Sequence, residues 1–197
     1  MNCAKFLQPS RSACKSFYDT AMQLDSRLAT HHDIPALTVL MNASIAELLK
    51  PVLSAEQVTA SFAIMGLDTQ LITDGTYFVV ESGGKLAGSG GWSRRATPFG
   101  GDHSPGRDMR LLDPAREAAR VRAMYTHPGF ARRGIGRMVL ALCEAAASAA
   151  GFAQVELTAT MGGLPLYRAC GYRDVEPFEQ DVGGVRVPLV RMVKVLA

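Results

Sequence analysis

The sequence has no apolar run long enough to cross a membrane as a helix, which requires about 20 consecutive apolar residues. The best stretch, residues 138–150, is interrupted by Glu144 and Ser148. The beginning of the chain also lacks the continuous apolar segment of a secretory leader. We therefore expect an N-terminal extension over residues 1–24, a single domain over residues 25–197, no membrane partner and a cytoplasmic location.

Cysteine is scarce, and its spacing excludes the common metal-binding patterns. The four cysteines, Cys3, Cys14, Cys143 and Cys170, show neither CxxC spacing nor interleaved histidines. The pattern therefore predicts no metal site. Cys143 falls in an apolar periodic stretch and Cys170 precedes a glycine, so both are interpreted as small core residues of a protein in a reducing compartment.

Neither the aromatic content nor the charge of the chain is typical of a nucleic-acid-binding protein. Aromatic residues make up only 7% of the sequence and do not interleave with the arginines, and the net charge is only +3. The arginines cluster within residues 94–137 instead of along the whole chain. This distribution favours a local phosphate ligand and predicts no nucleic-acid partner.

The most informative stretch of the sequence, residues 119–151, is typical of a strand, a short basic loop and a helix. Val121, Ala123 and Tyr125 alternate with other residues, which predicts a strand whose two faces differ. Beyond Gly134, apolar residues recur at spacings of three and four, at Ile135, Val139, Leu142 and Ala146. That period predicts an amphipathic helix that ends at Gly151.

The loop between this strand and helix, residues 131–137, combines arginines and glycines: Arg132, Arg133, Gly134, Gly136 and Arg137. A helix start leaves N–H groups without partners and carries partial positive charge, so it attracts phosphate groups. Glycines let an anion approach the backbone, and arginines add full positive charges. The sequence therefore predicts a diphosphate site at this helix start.

Two common nucleotide motifs do not fit this loop. Gly129 and Gly134 have the spacing of a Walker loop, but Ile135 and Gly136 stand where lysine and serine or threonine are required. A dinucleotide fingerprint needs a third glycine three residues after Gly136, and Val139 stands there. Both nucleotide interpretations are therefore excluded.

The same residues resemble the signature of a known family. A strand, then His127 and Pro128, then RRGIG at a helix start resembles the acetyl-coenzyme A motif of the GNAT acetyltransferase superfamily, Q/R-x-x-G-x-G/A. Ala131 stands at the first position of that motif, which removes one polar side chain and leaves the backbone amides. Residues 162–173 resemble the last motif of the family, with Tyr167 on a short helix before a glycine and an aromatic residue.

The predicted elements follow the order β α α β β β α β α β β, which gives an α/β (α+β) fold with a mixed sheet and helices on both faces. This order resembles the GNAT fold, which implies a partly splayed sheet in which two neighbouring parallel strands separate. Gly88, Gly90 and Gly91 are too many for a regular strand and predict a bulge or a close approach of backbone or ligand. Residues 96–118 lack a clear period and are interpreted as a loop over the acceptor side of the site.

The resemblance implies acetyl-coenzyme A as the cosubstrate. It puts the pantetheine arm against backbone groups of the first separating strand, at Met124, Tyr125 and Thr126. It puts the pyrophosphate on the helix start, at Arg132, Arg133, Gly134, Ile135, Gly136 and Arg137. The second separating strand would be residues 154–160.

The implied activity is transfer of an acetyl group to a primary amine by direct attack on the thioester. The acceptor would be a small-molecule amine or a protein amino group. Tyr167, with an ordinary pKa of about 10, is matched to an alkyl thiol and would act as the general acid. Glu81 and His103 are the predicted bases, with Asp102 and Glu117 as alternatives, although His103 beside Asp102 is also typical of a hydrogen-bonded surface pair.

A coenzyme-binding sensor or scaffold without catalysis is the alternative function. Ala131 leaves room for it, as does Thr160, which stands where the family has an asparagine, whereas Tyr167 argues against it. The oligomeric state stays open, because the final hairpin offers an edge that could pair across a homodimer.

Overall fold

A computed structural model describes residues 23–104 and 106–196. The predicted N-terminal extension therefore lies, apart from its last two residues, outside the described residues. The described chain contains seven strands: β1 (Asp25–Leu28), β2 (Tyr77–Ser82), β3 (Lys85–Ser93), β4 (Ala119–Thr126), β5 (Gln154–Thr160), β6 (Arg173–Val182) and β7 (Val185–Val195).

Five α-helices accompany them within the same ranges: α1 (Ile34–Leu48), α2 (Ala55–Ile64), α3 (Thr69–Thr73), α4 (Ile135–Ala149) and α5 (Leu164–Ala169). The short α3 was not predicted, because five residues are too few to display a helical period. Its start is set by Asp68, whose side chain accepts a hydrogen bond from the Gln70 N–H at 3.2 Å. None of the helices described here has the length and apolar character needed to span a bilayer.

The strands form one open sheet in the order β1-β2-β3-β4-β5-β7-β6. Every neighbouring pair is antiparallel except β4 and β5, which run parallel. The parallel pair is joined only where Ala119 faces Val155 and Arg120 faces Glu156, and beyond that point the strands are not paired. The predicted mixed and partly splayed sheet is therefore confirmed.

Helices cover both faces of the sheet and bury two apolar clusters. On one face α4 contributes Ile135, Val139, Leu140, Cys143 and Ala147. On the other face α1 and α2 contribute Leu37, Leu40, Ile45, Val58 and Ile64. The prediction that Cys143 is a small core residue is confirmed, because its side chain is fully buried with a free thiol.

The glycines of β3 let α4 lie close against the sheet. A Cβ atom on Gly88 would collide with the Ile135 side chain, and one on Gly90 would meet Val139 Cγ1 at 2.7 Å. The pairing register between β3 and β4 also shifts between Ser89 and Gly91. The predicted close approach is therefore confirmed, and the extra residue at this register shift belongs to β4.

The regular alternation predicted for β4 is wrong, because the strand contains a bulge. Gly91 pairs with Arg122 and Ser89 pairs with Tyr125, so one residue of β3 faces two residues of β4. Ala123 within the bulge has φ of 51°, a left-handed conformation for a residue with a side chain. As a result Val121 packs on the α4 face, whereas Tyr125 packs on the opposite face.

A buried hydroxyl group accounts for the position of this bulge. The Tyr77 hydroxyl donates a hydrogen bond to the Ala123 carbonyl at 2.9 Å and lies 3.0 Å from Ser89 Oγ. Tyr77 belongs to β2 and is 1% exposed. A contact between strands distant in sequence therefore stabilises a backbone conformation that residues 119–126 do not encode locally.

Candidate active site

A cavity occupies the gap that opens where β4 and β5 separate. We name it the loop cavity, because residues Pro98, Phe99 and Gly100 of the long loop form one wall. The other lining residues come from β4, β5, β7, α5 and the end of α2: Val121, Arg122, Ala123, Met124, Tyr125, Thr158, Thr160, Leu189, Tyr167, Ile64, Met65 and Gly66. The long loop thus forms one wall of the cavity at this gap; that this is the acceptor side stays a prediction.

A second cavity adjoins the first on the side of α1, and we name it the helix cavity. Its walls come from α1, the ends of α2, β4 and β5, the start of α4, and α5 with the residues before it: Ser44, Ile45, Leu48, Leu49, Met65, Met124, Tyr125, Thr126, Gly136, Thr160, Gly162, Gly163, Leu166 and Tyr167. Five residues line both cavities: Met65, Met124, Tyr125, Thr160 and Tyr167. The two spaces therefore meet beside the bulge of β4.

Tyr167 stands at this junction. Its side chain is 8% exposed, and its ring makes an edge contact with the Tyr172 ring at a centroid distance of 5.8 Å. Burial raises the pKa of Tyr167 above its usual value, because the phenolate would lose its hydration. The ordinary pKa expected from the sequence is therefore wrong, and the hydroxyl holds its proton firmly at neutral pH.

Two hydrogen bonds fix the walls of the loop cavity to β4. The Tyr125 hydroxyl donates to the Gly66 carbonyl at 3.0 Å, which ties down the chain after α2. Arg122 Nη2 donates to the Gly100 carbonyl at 3.1 Å, which ties down the long loop. Both donors come from the part of β4 that has separated from β5. The shape of the cavity thus depends on the same strand that opens it.

The start of α4 presents backbone donors. Its first residue follows Gly134, which has φ of 84° and provides no side-chain cap. The amide of Met138 donates to the Gly134 carbonyl at 3.0 Å. Within the described chain, no backbone carbonyl accepts from the amides of Gly134, Ile135, Gly136 or Arg137. These amides are the orphan donors of a helix start, and they suit an anion.

Gly136 connects this helix start to the helix cavity. A Cβ atom there would meet Leu166 Cδ2 at 2.8 Å and Thr126 Oγ1 at 3.8 Å, so the helix begins between α5 and the end of β4. Arg132, Arg133 and Gly134 are exposed beside it. The Arg133 guanidinium also lies 5.9 Å from the centroid of the Phe130 ring. Backbone donors and positive charge are therefore brought together at the mouth of the cavity.

The predicted base Glu81 lies away from both cavities. Its carboxylate accepts a hydrogen bond from Arg27 Nη2 at 2.7 Å on the β1–β2 side of the sheet. Glu117, one of the alternatives, accepts from Arg110 Nη2 at 2.9 Å. Arg110 holds the pKa of Glu117 at about 2, far below its usual range. Neither carboxylate is among the lining residues.

His103 and Asp102 lie behind the wall of the loop cavity. His103 Nε2 is 3.0 Å from the Ala63 carbonyl oxygen, and the ring packs against Gly66. Asp102 accepts from Arg107 Nη1 at 3.0 Å. Neither residue lines either cavity. The structure thus brings Tyr167 to the gap and leaves the other predicted catalytic side chains outside it.

Sequence reasoning missed a buried charged cluster beneath the loop cavity. Asp68 Oδ2 lies 2.5 Å from Arg122 Nη2, and Asp68 Oδ1 accepts from Arg107 Nη2 at 2.6 Å. Burial lowers the pKa of Arg122, because the guanidinium is removed from water. The only local signal is that Asp68 precedes a helix start, which predicts a cap and not an ion pair.

The part of the chain that the structure describes contains no evident metal-binding site. No group of three or more histidine, cysteine, aspartate or glutamate side chains there is arranged to hold a metal ion. The chemically distinctive features of the gap are a buried tyrosine, a bulged strand edge and a helix start with unpaired amides. These features suit an elongated ligand that carries phosphate groups at one end.

Comparisons with known proteins agree with this geometry. The family model of the GNAT acetyltransferase domain matches residues 73–174. A sequence search of curated proteins returned no match. A GCN5-related N-acetyltransferase from Rhodopseudomonas palustris has a similar structure, with TM-score 0.64, 18% identity, and coverage of 89% of this chain and 98% of that one.

Two further solved structures share the fold. Ribosomal-protein-alanine N-acetyltransferase from Brucella melitensis gives TM-score 0.59 at 19% identity, covering 87% of this chain and 99% of that one. The putative acetyltransferase yncA from Salmonella typhimurium, solved with acetyl-CoA, gives TM-score 0.59 at 18% identity, covering 88% and 94%. At these identities the likeness shows the fold alone. The family model, however, spans more than half of the sequence, and so this chain belongs to the GNAT acetyltransferase family and is an acyltransferase.

Proposed function

We propose that this protein transfers the acetyl group of acetyl-coenzyme A to a primary amine by direct attack on the thioester, with Tyr167 as the general acid. The observation that carries the proposal is the position of Tyr167, which lines both the helix cavity and the loop cavity. A thioester that entered through one cavity would meet an amine that entered through the other at this residue.

The residues around the helix cavity fit acetyl-coenzyme A. The amides and arginines of the helix start would hold the pyrophosphate: Arg132, Arg133, Gly134, Ile135, Gly136 and Arg137. Ile135 would act through its amide alone, because its side chain is buried against β3. The backbone of Met124, Tyr125 and Thr126 lies along the unpaired edge of β4 and would hold the pantetheine arm.

Tyr167 would supply the proton that the leaving sulfur needs. The amine nitrogen forms a bond to the thioester carbonyl carbon, the carbon–sulfur bond breaks, and the sulfur leaves with the electron pair of that bond. The Tyr167 hydroxyl then gives its proton to the sulfur, and the proton that the nitrogen loses restores the Tyr167 hydroxyl. The burial that raises the pKa of Tyr167 would also raise the pKa of a thiolate beside it, so donor and acceptor stay matched.

Charge that develops on the thioester oxygen needs a donor fixed in advance. Beyond Arg120 the edge of β4 that faces β5 has no strand partner in the described chain. Backbone N–H groups at this edge, close to the bulge, would serve as that donor. Because they are set by the folded strand, they would stabilise the transition state without reorganisation.

The test is release of free thiol from acetyl-coenzyme A by the purified protein in the presence of a panel of primary amines. We expect thiol release that depends on the amine, together with a product whose mass is that of the acetylated amine. Tight coenzyme binding without thiol release for any amine would contradict acetyl transfer and favour the sensor or scaffold. Ala131, at the first position of the motif, and Thr160, where the family has an asparagine, keep this alternative open.

A further inference from the structure

The loop cavity has polar and apolar lining residues, and the apolar ones form a group on the walls that face β4. Its walls away from β4 carry Ile64, Met65, Pro98, Phe99 and Leu189. The centroid of the Phe99 ring also lies 6.1 Å from that of the Phe178 ring of β6, so the two rings pack together. An acceptor that reaches Tyr167 through this cavity therefore brings its neighbouring groups against aliphatic and aromatic side chains.

The charges beneath this surface neutralise one another. Asp68 is bound by Arg122 and Arg107, and Asp102 is bound by Arg107, so two carboxylates face two guanidinium groups. The carbonyl of Gly100 already accepts a hydrogen bond from Arg122. These groups are engaged with one another and do not offer a negative charge to an incoming ammonium ion, whose desolvation would therefore be costly.

The glutamates that were predicted as bases from the sequence are likewise paired with arginines. Glu81 is bound to Arg27 and Glu117 to Arg110, both outside the cavity walls. The loss of a proton that makes an amine nucleophilic is therefore left to the acceptor itself. An α-amino group loses that proton near pH 7.7–8.0 and a lysine-like alkylamine only near pH 10.4, both approximately.

Building on the acetyl transfer proposed above, we propose that the acceptor enters the loop cavity as its free base and is an α-amine with an apolar side group. The neutral nitrogen forms the amide bond, Tyr167 protonates the departing sulfur, and the proton released from nitrogen returns to the Tyr167 phenolate. The products are the N-acetylated amine and the free thiol, and Tyr167 ends in its starting protonation state.

Four small amines separate the two parts of this inference. Leucinamide is an α-amine with an apolar side group, and glycinamide is an α-amine without one. Isoamylamine is an apolar alkylamine, and cadaverine is an alkylamine with a second charge. At pH 7.5 the free-base fraction favours α-amines over alkylamines by about 200- to 300-fold on the ordinary pKa values.

We expect kcat/KM to be highest for leucinamide. It should exceed that for glycinamide by about tenfold or more, because the isobutyl group is buried. The kcat/KM for leucinamide should also exceed that for isoamylamine by about tenfold or more. Isoamylamine is the stronger base and therefore the more reactive nucleophile, but this offsets only part of the disadvantage of its smaller free-base fraction. Equal or greater kcat/KM for cadaverine would overturn the inference while leaving acetyl transfer intact. Absence of thiol release with every amine would instead contradict the proposed function.

The pH profile distinguishes a free-base acceptor from a base on the protein. If the acceptor is deprotonated before it binds, the inflection in kcat/KM moves from about 8 with leucinamide towards about 10 with isoamylamine. If a group on the protein removes the proton, the inflection stays at one pH for both amines, and the inference fails.

The apolar wall is tested by Phe99→Ala, with Phe62→Ala as the matched control. Phe62 is 38% exposed on α2 and is not a lining residue of the loop cavity. We expect Phe99→Ala to reduce the preference for leucinamide over glycinamide by about threefold or more, and Phe62→Ala to leave that preference unchanged. The basis of the inference would be removed if Phe99→Ala left the preference for leucinamide over glycinamide unchanged and the pH inflection were the same for leucinamide and isoamylamine.

A peptide amide with N-terminal leucine identifies the source of the acceptor. A kcat/KM at least tenfold above that of leucinamide indicates a polypeptide N-terminus, and a lower value indicates a small amine. Both results support an α-amine with an apolar side group, whereas rejection of both compounds contradicts it.

Discussion

Asp68 Oδ2 lies 2.5 Å from Arg122 Nη2, and the two side chains are 0% and 3% exposed. The pair joins the N-terminus of α3 to the bulged strand β4, directly beneath the loop cavity. Arg107 of the long loop binds the other oxygen of Asp68 at 2.6 Å. One carboxylate therefore connects three segments that are distant in sequence, and two of them, β4 and the long loop, line the loop cavity.

Removing this carboxylate should destabilise the protein strongly. Asp68→Ala leaves Arg122 buried without its partner, which typically costs about 3–5 kcal/mol of the free energy of unfolding. Urea denaturation measures the loss. Asp174→Ala is the matched control, because Asp174 also lies 2.5 Å from an arginine but its pair is 57% and 40% exposed. A loss in Asp68→Ala no larger than in the control would show that the buried pair does not hold the fold together.

Tyr167→Phe should lower kcat by about 10²- to 10⁴-fold, the usual contribution of a general acid. The affinity for coenzyme A should change little, because the ring and its edge contact with Tyr172 are kept. Thiol release and calorimetry measure the two quantities separately. Tyr172→Phe removes a neighbouring buried hydroxyl and should keep its turnover. Normal turnover in Tyr167→Phe would assign the acid role elsewhere.

Gly134→Leu should abolish coenzyme binding. A side chain at φ of 84° is strained by about 1–2 kcal/mol, and it would stand at the helix start that suits the pyrophosphate. Gly184→Leu is the matched control, since Gly184 has φ of 89° and equally open surroundings in the β6–β7 turn. Calorimetry with coenzyme A should show loss of binding in Gly134→Leu alone. Equal affinity in the two variants would mean that the phosphates bind at another place.

Asp74 should make the protein sensitive to acid. Its two oxygens accept hydrogen bonds from Arg95 Nε at 2.8 Å and Nη2 at 2.9 Å, and Arg95 holds the pKa of Asp74 below its usual range. The stabilisation is therefore fully present above the unfolded pKa of about 3.9 and is lost as the pH falls through the lower folded pKa.

The measurement for Asp74 is urea denaturation of the wild type and Asp74→Asn at several pH values. The wild type should be the more stable at pH 7, and the difference should shrink as the pH falls below about 4. Arg95→Met should remove most of this pH dependence, because the partner of Asp74 is gone. A difference that stays constant from neutral pH to pH 3 would contradict the role of the pair.

Local chemistry explains why much of the site could be predicted. The run from Arg132 to Arg137 has glycines at fixed positions before an apolar period of three and four, which is enough to predict a helix start suited to phosphate. The glycines of β3 likewise predicted a close approach, and Ile135 and Val139 are the side chains that fill it. Such signals depend only on residues that are close together in the sequence, so they can be recognised without knowledge of the tertiary structure.

The proton-transfer residues could not be assigned from the sequence, because their role depends on contacts between distant parts of the chain. Glu81, Asp102, His103 and Glu117 have suitable side chains, but a carboxylate or imidazole can act only where the fold puts it. The structure shows these side chains bound to Arg27, Arg107, the Ala63 carbonyl and Arg110, respectively. Suitability of residue type is visible in a sequence, whereas the competing partner is not.

The sequence by itself determined the order of the main helices and strands, the helix start of α4 and the family. Each depends on periodicity or on conformational preferences over a short stretch. Only the tertiary structure decided that β4 bulges at Ala123, that Asp68 meets Arg122, and that Tyr167 lies where two cavities join. These features are set by groups far apart in the chain, whose burial and hydrogen bonds stabilise a local conformation that no short stretch prefers alone.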